Sequence, residues 1–173
     1  MELTDILPID KWIEFENDIR QQSGLMASVY NTKGIRIAGQ RNWSNRLCPA
    51  IKATDKGQAF ICAVAHMNLA IMAEKSHSPV IEECDAGLVK VVVPIFAHGE
   101  FLGAAGGCGL LLQDGEVDSF MINKTTGISE AEIEELSTDI PAIDQHKAEV
   151  LAEYIEQRLT AILADYERQN PAD

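Results

Sequence analysis

The chain is short of positive charge: its 173 residues carry 14 Lys and Arg against 27 Asp and Glu, a formal net charge of −13. The acidity gathers toward the C-terminal third. A surface of that sign repels phosphate backbones, which argues against a nucleic-acid-binding role. No apolar run reaches the ~18 residues that spanning a bilayer requires, and no charged-then-apolar leader opens the sequence. The expectation is a cytoplasmic protein with no membrane partner. Cys-x-x-Cys pairs are missing too, which excludes the zinc-ribbon and simple ferredoxin spacings. The phosphate-cradling motif is absent, since Gly103–Gly109 lacks the Lys and the helix start that a P-loop needs. Internal repeats, low-complexity tracts and linkers are lacking as well. With 46% hydrophobic residues, the chain can bury a sizeable core.

What is present is organised around residues 79–112. Val80–Cys84 reads as a short strand, and Asp85-Ala86-Gly87 as a turn. Leu88–Phe96 is a run rich in β-branched residues, Ala97-His98-Gly99-Glu100 a tight connection, and Phe101–Leu112 a returning strand, together a β-hairpin. Pro94 cannot donate to a ladder, so a bulge or an edge is expected there. The return strand is glycine-rich (Gly103, Gly106, Gly107, Gly109), which predicts that a packed helix, a ligand or a metal centre approaches its backbone closely.

Around this hairpin, Pro8–Ile19 shows helical spacing and Gly24 ends that helix. Leu25–Tyr30 and Ile35–Gly39 read as strands about the turn Asn31–Gly34. Leu47–Ala53 is a short helix that begins near Cys48. Asp55, with Gln58 three residues on, is expected to cap a helix reaching Lys75, with Phe60, Ile61, Val64, Ala65, Asn68, Leu69 and Met72 on its apolar face. Val117–Thr126 reads as a loop over the sheet. Ser129 and Glu132 form a capping box for a short helix to Ser137. Pro141 is expected to open a last helix to Arg168, whose outer face carries Glu149, Glu153, Glu156 and Asp165. Its apolar spacing suits either the chain's own sheet or a twin helix. The fold class expected is α+β, an antiparallel β-sheet with helical crossovers and a long C-terminal helix.

Cys48, Cys62, Cys84 and Cys108 admit two readings. Each alone can be a small buried hydrophobe. Cys62 and His66, four apart, share a helix face and could ligate together, although a lone His beside a core is more often a hydrogen-bonded structural residue. For catalysis there is no positive case. Cys84 lies beside Asp85, whose charge raises a thiol's pKa, and no His stands at a spacing that argues for partnership. A small accessory redox protein or enzyme using Cys84 or Cys62 is the alternative from a different class.

Ser23-Gly24-Leu25, Val29–Gly34, Cys48, Cys62, Cys84-Asp-Ala-Gly-Leu88 and Val93-Pro94-Ile95 through Gly99-Glu-Phe-Leu-Gly103 together resemble the PocR sensory-domain family. The likeness departs at Gly107-Cys108-Gly109, where that family often carries Gly-Gln. The resemblance implies a PAS/GAF-like ligand-sensing domain over residues 1–128. Residues 129–173 would be a helical extension that forms a homodimer or passes a signal to a separate output protein. The implied ligand is a small molecule of the simple hydrocarbon-derivative kind. It also implies that Cys48, Cys62 and Cys84, joined by Cys108, converge as soft ligands for a metal ion or an iron–sulfur cluster. Otherwise the cysteines line a pocket for an uncharged molecule, with Trp43, Phe60 and Met67 as walls. Gly87 and Gly106 complete the expected ligand-binding set.

Overall fold

A computed structural model describes residues 1–171, so the last two residues of the expected 129–173 extension lie outside it. The elements in chain order are α1 (Leu3–Ile6), α2 (Ile9–Ser23), β1 (Met26–Asn31), α3 (Leu47–Lys52), α4 (Asp55–Gly57), a π-helical segment (Gln58–Ala63) and α5 (Val64–Ser76). Then follow β2 (Val80–Glu83), β3 (Val89–Ala97), β4 (Glu100–Leu112), α6 (Ser119–Thr126), α7 (Glu130–Ser137), β5 (Ala142–Ile143) and α8 (Gln145–Gln169). The strands form an open sheet in the order β1-β4-β3-β2, antiparallel throughout, with β5 added in parallel to the end of β4. The expected α+β architecture, PAS/GAF-like with a long C-terminal helix, is the one observed.

The β3–β4 hairpin is the scaffold. His98 and Gly99 both adopt positive φ, 50° and 80°, the two-residue turn whose twist matches the strands. Alternation along β3 then separates two faces. Val89, Val91, Val93 and Ile95 join Trp12, Phe15, Ile19, Leu151, Ile155 and Leu159 in the main core, under α2 and α8. Lys90, Val92 and Pro94 face the other way, and Val92 packs on Leu69 and Ala73 of α5. Pro94 lies past the end of β2, whose pairing stops at Val80↔Val92, so its missing N–H faces no neighbouring strand there.

Several elements differ from expectation, each for a local reason. Ile35–Gly39 is no strand: only a Tyr30–Arg36 bridge forms. The Asn31 side chain accepts from Lys33 N and Ile35 N, and the chain leaves the sheet after Ile37. Residues 119–126 are helical, because the Asp118 side chain caps α6 by accepting from Met121 N at 2.9 Å. Pro141 does not open the last helix. The carbonyls of Pro141 and Ile143 accept from Leu111 N and Gln113 N, and Asp144 caps α8 through Lys147 N at 2.7 Å. Thr54, not Asp55, caps the α4 start. On the helix that follows, the apolar row Ile61, Ala65, Leu69, Ala73 is buried together with His66, while Phe60, Val64, Asn68 and Met72 are exposed. What closes on Gly103 and Gly106 of β4 is a neighbouring strand rather than a helix. A Cβ on Gly106 would meet Val91 O at 1.9 Å, and one on Gly103 would meet Tyr30 O at 2.0 Å, so neighbouring strands occupy that space.

Candidate functional site

Between the sheet and α3–α5 lies a cavity of about 490 Å³. Its floor is the second face of the sheet: Met26 and Tyr30 from β1, Lys90 from β3, Cys108 and Gly109 from β4. Cys84, Ala86 and Leu88, from the β2–β3 turn, close one end. The roof comes from helices: Cys48, Ile51 and Lys52 from α3, Gln58, Ile61 and Cys62 from the π-helical segment, Ala65 and His66 from α5. The segment Gly34–Trp43 forms the rim, contributing Arg36, Arg41 and Trp43. Arg20 steadies that rim by donating to the carbonyls of Asn42 and Trp43. A π-helical turn is uncommon and often marks a functional position, and this one presents Gln58, Ile61 and Cys62 to the cavity.

Sequence folds the roof onto the floor through two small contacts. Asn45 is buried. Its Nδ2 donates to Gly109 O at 2.7 Å, and its Oδ1 accepts from Cys48 N at 2.7 Å, so one side chain ties β4 to the start of α3. The same Nδ2 lies 3.3 Å from Cys48 Sγ. Gly57 lets α4 close on α3: a Cβ there would meet Ile51 O at 2.2 Å. At the outer end Arg46 pairs with Asp139 at 3.1 Å, fastening α3 to the end of α7.

Arg36, Arg41, Lys52 and Lys90 line the cavity, with His66 beside them, and no Asp or Glu among the described residues does. Among the described residues none of these four cations joins an ion pair. Arg36 Nη2 donates to Ala27 O at 2.7 Å, while its Nε and Nη1 are buried without a partner. Glu16 lies near enough to feel Arg36, but it is hydrogen-bonded to Val29 N at 2.8 Å instead. Both His66 ring nitrogens are also buried and unpartnered, and the ring lies on Tyr30 at 3.5 Å between centroids. Burial, helped by the neighbouring cations Lys90, Lys52 and Arg36, pulls the His66 pKa down to about 3, so it is neutral in the fold. Burial also lowers Lys52, and Arg41 and Arg36 add to that. Lys90 is only 6% exposed and sits 5.7 Å from the Tyr30 ring centroid. Burial disfavours its ammonium, but the negative charge that Cys108, Tyr30, Cys84 and Cys62 can develop outweighs this and raises its pKa.

The structure brings all four cysteines around this one cavity, with Trp43. None is in a disulfide. Burial pushes the Cys48, Cys62 and Cys84 thiols up. Phe60 and Met67 do not line the cavity; they are 61% and 52% exposed. Gly87 borders a separate, acidic cleft with Glu82, Glu83, Glu116 and Asp118, and Gly106 lies under the Tyr30–His66–Lys90 cluster. Asn45, Arg36, Lys52, Tyr30 and Lys90 are site residues that the sequence reading did not single out. Of these, Lys90 carried a signal: it is the one charge inside the apolar run Leu88–Phe96.

An α+β sheet with a chamber of mixed apolar and polar lining is the kind of site that takes a small molecule. The chain belongs to the family described as the sensory domain found in PocR, whose pattern it matches over residues 5–165, which takes in α7 and most of α8. No curated protein and no solved structure gives a significant match. As a member of this family the chain has a ligand-binding sensory role. Among the described residues, no helix is long and apolar enough to cross a membrane.

Proposed function

We propose that the domain senses a small molecule held in the 490 Å³ cavity, between β1, β3 and β4 below and α3–α5 above. The observation that carries this reading is the lining itself. Apolar walls (Ile51, Ile61, Leu88), Trp43, four thiols and several unpaired polar groups converge on one space, and nothing in the chain fills it. Output through α8 follows from the strand that separates the two layers: Lys90 faces the cavity while Val89 and Val91 pack in the core under α8. A shift of β3 on ligand binding would therefore reach α8 through one strand's thickness. Leu151, Ile155 and Leu159 are buried in the chain's own core. A twin copy or an output protein would thus meet the outer row, where Glu149, Val150, Glu153 and Glu156 are exposed.

The thiolate-bound metal or iron–sulfur centre fits the residues less well. Among the described residues no three His, Cys, Asp or Glu are grouped to hold an ion. Two measurements on the full chain test the proposal. A thermal-shift screen of small organic molecules should find compounds that raise Tm with concentration, and Cys62→Phe, which fills the cavity, should abolish those shifts while the protein stays folded. Equal shifts in the wild type and Cys62→Phe would contradict the cavity as the site. Elemental analysis after anaerobic purification is expected to show no stoichiometric Fe, Zn or Co; about one metal per chain would move the reading to the cysteine centre.

A further inference from the structure

The cavity's charge says what kind of molecule it takes. In a chain of net charge −13, four of the fourteen Lys and Arg residues line one chamber, and no Asp or Glu among the described residues does. Like charges gathered in a partly dry space repel one another and are costly to desolvate. Such an arrangement persists where a partner of opposite sign offsets it. Among the described residues none of the four cations joins an ion pair, and Glu16, which feels Arg36, is taken up by Val29 N instead. Arg36 has two unpartnered guanidinium nitrogens, and Lys52 is near enough to Arg36 and Arg41 to feel their charge. Much of the remaining lining is apolar, with Ile51, Ile61, Leu88 and Trp43.

We propose that the ligand is a small organic anion, its carboxylate or phosphate group held among Arg36, Lys52 and Lys90 and its remaining carbon skeleton against Trp43, Ile51 and Leu88. Arg36 provides fork-shaped donors matched to an oxyanion, and Lys90 provides a point charge from the floor. His66 is neutral and adds a polar neighbour without charge. Arg41, exposed at the rim, draws the anion toward the mouth despite the acidic exterior. An uncharged hydrocarbon derivative would leave all four cations uncompensated. This inference rests on the cavity being the sensory site.

The test uses the full chain and inorganic phosphate as a general oxyanion probe, with chloride at equal ionic strength as the reference and 1,2-propanediol as a neutral probe. Thermal melting is followed in the wild type, in Arg36→Gln/Lys90→Met, and in Lys52→Gln alone. Expected is an extra rise of at least ~2 °C in phosphate over chloride for the wild type, absent in the double variant and reduced in Lys52→Gln. Trp43 fluorescence should change over the same phosphate range. If Arg36→Gln/Lys90→Met does not fold, Lys52→Gln, at a half-buried position, carries the comparison. Equal phosphate shifts in the wild type and the variants overturn the anion assignment. If 1,2-propanediol alone raises Tm, and Cys62→Phe abolishes that rise, the cavity stands as the sensory site and only the charge inference falls. If neither probe acts and Trp43 stays silent, both readings fall.

Discussion

The two faces of the sheet are built from alternate residues of the same strands, yet they follow opposite rules. Under α2 and α8, β3 presents Val89, Val91, Val93 and Ile95, all essentially without solvent contact, to an apolar layer that includes Trp12, Ile19 and Ile155. Toward α3–α5 the same strand presents Lys90, and its neighbours add Tyr30, Cys108, His66 and Arg36, several with polar atoms that find no partner. The first face is where stability comes from. The second carries buried cations and unpartnered polar atoms, which lower stability and which the proposed ligand would offset. One strand thus separates a structural half from a sensing half, and changes on the two sides should have opposite signs.

The largest break is expected on the dry side. Trp12 is fully buried and its Nε1 donates to Leu3 O at 2.9 Å. Trp12→Ala should cost about 3–5 kcal/mol by urea unfolding, and Ile155→Ala about 2–5 kcal/mol. On the sensing side Lys90→Met, which removes a buried cation and keeps the volume, should leave stability unchanged or raise it by about 1 kcal/mol. A loss as large as that of Ile155→Ala would erase the contrast between the faces.

Acid should act through the sensing side. The His66 pKa is about 3 in the fold against about 6.5 in an unfolded chain. The unfolded state therefore binds the proton first. The contribution of neutral His66 is complete above pH 6.5 and is lost as pH falls from there toward 3, by an amount on the order of a few kcal/mol. His66→Phe should flatten that part of the pH–stability curve, and an unchanged slope would show that other groups dominate it. Thiol chemistry gives a smaller readout. With burial holding Cys48, Cys62 and Cys84 above the ordinary thiol range, iodoacetamide at pH 7 should label them at least ~10-fold more slowly than in the urea-unfolded chain. One fast cysteine would revive a redox or catalytic role. The smallest effect is expected at Phe60, which is 61% exposed. Phe60→Ser should change stability by no more than ~0.5 kcal/mol and leave ligand binding intact.

The sheet's centre was legible in the sequence because hairpin signals are local. The β-branched run of β3, the His98-Gly99 turn and the strand after it sit within thirty residues. Cys48, Cys62 and Cys84 could be suspected of sharing a space from their family positions, with Cys108 as an addition, and all four line one cavity. The cations could not be read the same way. Arg36, Arg41, Lys52 and Lys90 come from a rim segment, a helix end and a mid-sheet strand, and apart from Lys90 each alone looks like ordinary surface charge. Only the fold shows that they line one cavity with no Asp or Glu among the described residues beside them there. The helix faces failed for a different reason. Two adjacent apolar rows run along residues 60–73, and periodicity does not say which one meets a sheet and which is left to solvent. The Asp118 and Asp144 caps were overlooked because Val117–Thr126 lacked a clear apolar period and Pro141 offered a competing start.

The most direct measurement is a crystal structure of the full chain grown with the strongest anionic stabiliser from the melting experiments. The account predicts density in the cavity bordered by Cys48, Cys62, Cys84 and Cys108, with an oxyanion group within hydrogen-bonding reach of Arg36 or Lys90. A molecule bound instead in the acidic cleft near Glu82 and Asp118, or a chamber closed by its own side chains with the stabiliser elsewhere, would contradict it.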